Sequence, residues 1–411
     1  MSPETTDLHN CLEDSLRPLW MLTRYTGILP DWCNRNENRG RKEKVVSYFS
    51  ISLCWILLVA APIYDIVELV IEMKSNQMTL TDLFQHLMVI LVHLVHVLVQ
   101  SQYLLKQSQY LSFFRDWQML KVRVLEPDNT NKLKKVMVSS LAVWMTHSLL
   151  TFLILLCLPL YYALPDMPFT FHLFKEFIGT NAAFLYYLLT LYEYVVMLIL
   201  TLILDVVPII IYTYLSFVVS CLETELVEIF KRMLPSKPSL FNSNFVTKIR
   251  RCWVSYDTVR QLGDRANCLF GFGLLANQLI LLAFICSTLF RCLHNVREGF
   301  HESTHLILGI ELYRFYVYSF RLINTNLKLS KLQASTKKLH NRMISLLSQY
   351  WEVVTEEERA VIIAFINQLH HNPLAAAPLG LYNISYSIFL ILSSLIFSNV
   401  IILLQSPVIV D

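Results

Sequence analysis

Cys268–Leu293 reads CLFGFGLLANQLILLAFICSTLFRCL and carries no charged side chain before Arg291. A helix rises about 1.5 Å per residue, so a stretch of this length crosses a hydrocarbon layer about 30 Å thick. Six further stretches read the same way: Val45–Ile71, Leu80–Leu104, Val136–Leu164, Phe184–Val207, His305–Asn324 and Leu379–Leu404. His305–Asn324 is the least apolar, because Glu311, Arg314 and Arg321 interrupt it. Composition agrees: of 411 residues 55% are hydrophobic and 16% charged, and mean hydropathy is +0.47. Soluble domains carry about 25% charged residues. The chain therefore reads as an all-α polytopic membrane protein whose first partner is the lipid bilayer.

The connections orient the spans. Lys and Arg number 7, 1, 7, 1, 8, 2 and 6 from the N-terminal segment through the six loops. Basic residues collect on the cytoplasmic side, so the N-terminus is expected inside and the C-terminus outside. That is the reverse of a G-protein-coupled receptor. Residues 1–44 form a polar cytoplasmic segment without a cleavable signal, and 45–411 a single seven-helix membrane domain. The inner connections, roughly 216–267 and 325–378, are long and read as amphipathic helices. Leu222, Leu226, Ile229 and Phe230 repeat at helical spacing, and Thr355 with Glu358 forms a capping box.

Polar residues within the spans mark candidate sites, since ionisable groups at membrane depth avoid lipid. Asp82, His86, His93, His96 and Gln100 lie near one helical face of the second span. A di-iron enzyme needs several further His boxes, which His147 and the His370–His371 pair do not supply. No metal and no cofactor is expected. The fourth span carries Glu193 among Tyr187, Tyr192 and neighbouring aromatics, and the sixth carries Glu311, Tyr313 and Arg314. Glu311 and Arg314, three apart, pair on one face. These groups are either structural salt bridges or the polar points of an outward-facing pocket among spans two to six. No GxSxG, Walker loop or HExxH occurs, so an enzyme is not expected. With net charge +3 and no basic stripe, nucleic acid is not expected either.

The last span differs in kind. Ser387, Ile391, Ser394, Ser398, Ile401 and Gln405 are spaced 4, 3, 4, 3, 4. Such a stripe of small polar and β-branched groups is either a helix–helix contact or the wall of a pore where copies of this helix meet.

Three segments together resemble the insect-type gustatory receptors, within the seven-span chemoreceptor superfamily that includes odorant receptors. They are Leu16-Arg17-Pro18 through Gly27-Ile28-Leu29-Pro30, Phe365–Gln368 through Leu379-Gly380-Leu381-Tyr382, and the ending Ser398-Asn399 through Gln405-Ser406. The family ending is TYxxxxxQF, of which Gln405 and the apolar run survive. The resemblance implies a tetrameric, ligand-gated, nonselective cation channel in the plasma membrane of chemosensory neurons. Each subunit would hold a small-molecule tastant, and four final spans would line the pore. On that basis His93, Tyr187, Tyr192, Glu193, Glu311, Tyr313 and Arg314 are the expected ligand-binding residues. Ser394, Ser398, Ile401, Leu404 and Gln405 are the expected pore and gate residues. Assembly as a homotetramer or as a heteromer with related subunits fits equally. The alternatives are an odorant receptor of the same superfamily, a transporter, or a receptor acting through a partner.

Overall fold

The computed structural model describes residues 80–124, 182–233, 242–298 and 302–385, with isolated helical positions from 52 to 74, 135 to 150 and 387 to 401. Among the described residues all regular structure is helical. The helices are α1 (Leu80–Leu105), α2 (Gln107–Val124), α3 (Ala182–Met233), α4 (Asn242–Glu298), α5 (Glu302–Gln349) and α6 (Glu356–His371), followed by a 3-10 turn at Pro378–Gly380. The expected spans Val45–Ile71 and Val136–Leu164 lie largely outside the described residues.

α3, α4 and α5 pack on one another and form the centre. They run 52, 57 and 48 residues. At about 1.5 Å per residue each is roughly 70–85 Å long, more than twice a hydrocarbon core of about 30 Å. Most of the amphipathic helix expected in the long connections is thus the unbroken continuation of a span, in α3 to Met233, in α4 from Asn242 and in α5 to Gln349, and α6 is the separate element. In α3 the reason is visible: Leu215, Val218, Val219, Leu222, Leu226, Ile229 and Phe230 are all buried. Apolar spacing of three and four persists past the span, and only Pro208 interrupts the ladder. Its neighbours Val206, Val207, Ile209, Ile210 and Ile211 are buried on the other helices, which holds the helix straight through the lost bond.

Among the described residues two helical stretches are long and apolar enough to cross a bilayer, Leu204–Arg232 and Phe245–Leu293. A third qualifies if α1 and α2 are taken together across their 71° bend. That elbow is fastened to α4 at one point. The Leu269 carbonyl accepts Gln102 Nε2–H at 3.1 Å and Tyr110 O–H at 2.5 Å. Below it the buried rings of Tyr110 and Phe113 meet Phe270 edge-on, and Trp117 meets Tyr214.

α6 starts where the sequence places it. Thr355 Oγ1 accepts the Glu358 amide at 3.4 Å, and Glu358 Oε2 accepts the Thr355 amide at 2.9 Å. Ile362, Phe365 and Leu369 face the core at helical spacing, and Phe365 stacks on Trp253 of α4.

After α6 the chain turns back along α4 as a strap, residues 372–384, with Leu374, Ala375, Ala376, Pro378 and Ile384 buried. Contacts advance in step along both partners. Tyr256 O–H donates to the Asn372 carbonyl and accepts the Leu374 amide. Gly263 faces Leu374. Asn267 donates to the Ala375 carbonyl at 3.0 Å and accepts the Ala377 amide at 2.9 Å. Gly271 lies against the Pro378–Leu379 backbone. Tyr382 O–H donates to Gln278 Oε1. Beyond Ala377 the strap turns on itself: the Ala377 carbonyl accepts the Gly380 amide at 3.0 Å, and the Ala376 carbonyl accepts the Ile384 amide at 2.8 Å.

The strap corrects the expected start of the last span. Leu379 (φ 52°) and Gly380 (φ 71°) turn the chain out of helical conformation. Residues 381–385 are not helical, and helix resumes by Ser387. An apolar run of suitable length does not reveal that its first third is already committed to backbone contacts on another helix.

A Cβ on Gly271 would stand 2.5 Å from the Leu379 nitrogen, whereas one on Gly263 would meet the movable tip of Leu374, and one on Gly309 would meet nothing within 4 Å. Gly271→Ala is therefore expected to cost about 1–3 kcal/mol by overpacking. Thermal melting of the detergent-purified protein checks this, with Gly309→Ala unchanged and Gly263→Ala between the two.

Candidate functional site

α4 and α5 run antiparallel through the bundle, and their facing side chains form a polar seam. On α4 Asn277, Phe284 and Arg291 are seven residues apart, which returns each to the same face. On α5 the matching positions are Glu311, Arg314, Tyr318 and Arg321, spaced three, four and three. The rungs pair in reverse order.

At one end the buried Glu311 carboxylate takes Arg314 at 3.0 Å and Arg291 at 3.3 Å. In the middle Phe284 and Tyr318 stack at 4.8 Å. At the other end α3 contributes Asp205, which is fully buried. Its Oδ2 accepts Arg321 Nε–H at 2.6 Å and its Oδ1 accepts Asn277 Nδ2–H at 2.5 Å. The next residue on α4, Gln278, donates to Asn326 of α5 at 3.0 Å and accepts Tyr382 of the strap. Asn277 and Gln278, adjacent on one helix, thus bind the ion pair and the base of the last span respectively.

A buried carboxylate and guanidinium lose several kcal/mol of hydration each, which close pairing and extra hydrogen bonds offset. Asp205 has both. On α1 His96 is buried and within electrostatic range of both His93 and Arg321. The histidine face of the second span is therefore turned inward, against the buried ion pair.

The expected ligand-binding residues divide accordingly. Glu311 and Arg314 are brought together, with Arg291 as an unforeseen third member. Tyr313 is half-buried one residue along. His93 is buried on α1 and belongs with the deeper Asp205–Arg321 end. Tyr187, Tyr192 and Glu193 lie on α3, with side chains outside the described residues. Among the expected pore residues Ser394, Ser398 and Ile401 are exposed, and Leu404 and Gln405 lie outside the described residues. Asp205, the residue with most of the seam's charge burial, was legible as a lone carboxylate in the run Leu202-Ile-Leu-Asp-Val206. Among the described residues no group of three or more His, Cys, Asp or Glu is arranged to hold a metal.

Removing one member of the Asp205–Arg321 pair leaves the other charge buried, at a cost of about 3–5 kcal/mol. Arg321→Gln is expected to reduce the yield of folded, monodisperse protein sharply. Asp205→Asn combined with Arg321→Gln should recover much of it, because both orphaned charges are then gone. Size-exclusion profiles of the two variants decide this.

The seven-transmembrane description "7tm Chemosensory receptor" belongs to a family whose model matches residues 16–406. Comparison with curated proteins gives no sequence match. Among solved structures, the insect olfactory receptor OR5 from Machilis hrabei superposes with TM-score 0.69 at 12% identity, over 97% of this chain and 99% of that one. The same receptor in complex with eugenol superposes with TM-score 0.66 at 10% identity, over 98% and 99%. At that identity the likeness is one of fold, and it extends along the whole chain. The family match over nearly every residue gives the assignment: the chain belongs to the seven-transmembrane chemosensory receptor family.

Proposed function

We propose that the protein is a gustatory-type receptor of the plasma membrane and a ligand-gated, nonselective cation channel. A small organic tastant binds among spans two to six, and the last spans of several copies, four in a homotetramer, enclose the pore. The observation that carries this reading is the two-sidedness of the final helix. Leu392 and Ile396 pack on Leu281, Ile285 and Leu322. Ser387, Ile391, Ser394, Ser398 and Ile401 are exposed on the isolated chain. Hydroxyls gain nothing from lipid tails, whereas helix neighbours or a water-filled lumen satisfy them.

In this reading the seam is the ligand-responsive part. A ligand that binds one arrangement of α4 and α5 more tightly than another shifts the equilibrium by that difference alone. Gln278 and Tyr382 pass the shift to the base of the last span. Glu311, Arg314 and Arg291 offer a charged end and Tyr318 and Phe284 an aromatic wall, which suits a small molecule with both characters. A second reading, an odorant receptor, draws on the fold likeness to an olfactory receptor that binds eugenol.

Single-cysteine variants test the pore without any ligand. Ser394→Cys and Ser398→Cys are expected to cross-link between copies under mild oxidation, and Leu392→Cys is not. The particle mass after subtracting detergent should be near four times 47.9 kDa. A monomeric particle with no cross-linking at either serine position defeats the homomeric pore.

A further inference from the structure

A groove of about 270 Å³ opens between the start of α2, just past the elbow, and α4. Its lining is Ser108, Gln109 and Ser112 from α2 with Arg265, Cys268 and Leu269 from α4. The ligand seam lies elsewhere, and neither the family match nor the relatives' descriptions assign this groove a role. We propose that it holds the headgroup of an anionic phospholipid of the inner leaflet, with the phosphate on Arg265 and the serine hydroxyls.

Its depth is the first support. Two apolar runs chosen on sequence alone, Leu80–Leu104 and Cys268–Leu293, end and begin at this level, on the side where basic residues accumulate. The structure brings those two ends together through the Leu269 carbonyl. The groove therefore sits where hydrocarbon gives way to the cytoplasmic headgroups.

The second support is the surface leading to it. Leu87, Leu91, Leu94 and Leu98 are exposed along α1 at spacings of four, three and four, and Leu105 at its end is 85% exposed. Leu279 continues the same character on α4. An apolar stripe ending at Leu105, three residues before the groove's Ser108, fits a molecule with an acyl chain and a charged head.

Charge is the third. Arg265 is bound to Asp116, and its Nη2–H donates to Ser112 at 3.1 Å. Both members of that ion pair are about half exposed, 40% and 50%, so the pair contributes little and yields readily to a better anion. Lys106 stands at the bend and Arg115 is exposed beside Ser112, so the elbow is net basic despite Asp116. A guanidinium with two hydroxyls alongside matches the oxygens of a phosphodiester. Asp116 then acts as the competitor that holds Arg265 in place while no lipid is bound.

This arrangement predicts opposite effects for the two partners. The full-length protein, purified in detergent, would be titrated with phosphatidylglycerol or phosphatidylcholine of the same chains, and bound lipid counted by native mass spectrometry. Wild type should retain one phosphatidylglycerol per chain at least fivefold more tightly than phosphatidylcholine. Arg265→Gln should bring that site to the phosphatidylcholine level, and Asp116→Asn should tighten it severalfold. Ser108→Ala with Ser112→Ala should weaken it without removing the charge preference. Equal retention of both lipids overturns the proposal, as does an unchanged preference in Arg265→Gln or a loss rather than a gain in Asp116→Asn. Displacement by millimolar inorganic phosphate also overturns it, because the groove would then read free phosphate and not a lipid. Should Arg265→Gln fail to fold, the Asp116→Asn arm decides alone.

Discussion

The carboxamide of Asn267 is the contact on which most of the architecture depends. Its Nδ2–H donates to the Ala375 carbonyl and its Oδ1 accepts the Ala377 amide, two residues apart on the strap, while the same oxygen accepts the Tyr212 hydroxyl of α3. With a glycine one turn to either side, α4 presents a flat strip against which another backbone lies in contact. An extended chain inside a helical bundle has no sheet to satisfy its amides, and buried amides without partners are costly. Asn267, Tyr256 and Thr336 provide those partners. The position of the last span follows from them, because the strap fixes where that helix begins.

The charged seam obeys a related constraint. Arg314 and Arg321 weaken the claim of residues 305–324 to be a span if read singly, yet each is answered by a carboxylate within 3.0 Å. Neither carboxylate is local to both arginines: Glu311 lies one turn away on the same helix, and Asp205 comes from α3. The pairings require three helices in one register, so they select that register as well as offsetting the burial of charge. Whether such pairs add net stability over apolar packing is a separate matter, and buried ion pairs in general add little.

Much of this was legible beforehand. The apolar runs, the α6 cap and the Glu311–Arg314 pair rest on local spacing, and local spacing is what a sequence displays. The inward turn of His93 and His96 follows from the same logic. Hidden were the pairings that join distant segments: Asp205 with Arg321, Arg291 with Glu311, and Gln278 with Tyr382. No periodicity relates residues on different helices, whether 20 apart or more than a hundred. The beginning of the last span was misplaced for another reason. Hydropathy registers that Leu379 and Leu381 are apolar, but not that the backbone there turns against α4 and leaves helical conformation. Gly263 and Gly271 carried a hint, residues of poor helical propensity inside a long helix.

The strap also sets an order of assembly. Residues 372–384 leave the ribosome after α3, α4 and α5, and domains fold as their parts emerge. Until the strap arrives, the groove along α4 is open, and the Asn267 amide group and the Tyr256 hydroxyl lack the backbone partners that the strap brings. The helices can gather early, yet the bundle closes only from its carboxyl-terminal side. A nascent chain stalled before the strap would thus present a wet seam in the middle of its core, a defect that cellular quality control is equipped to detect. Completeness of the chain is in this way written into the packing of its oldest helices.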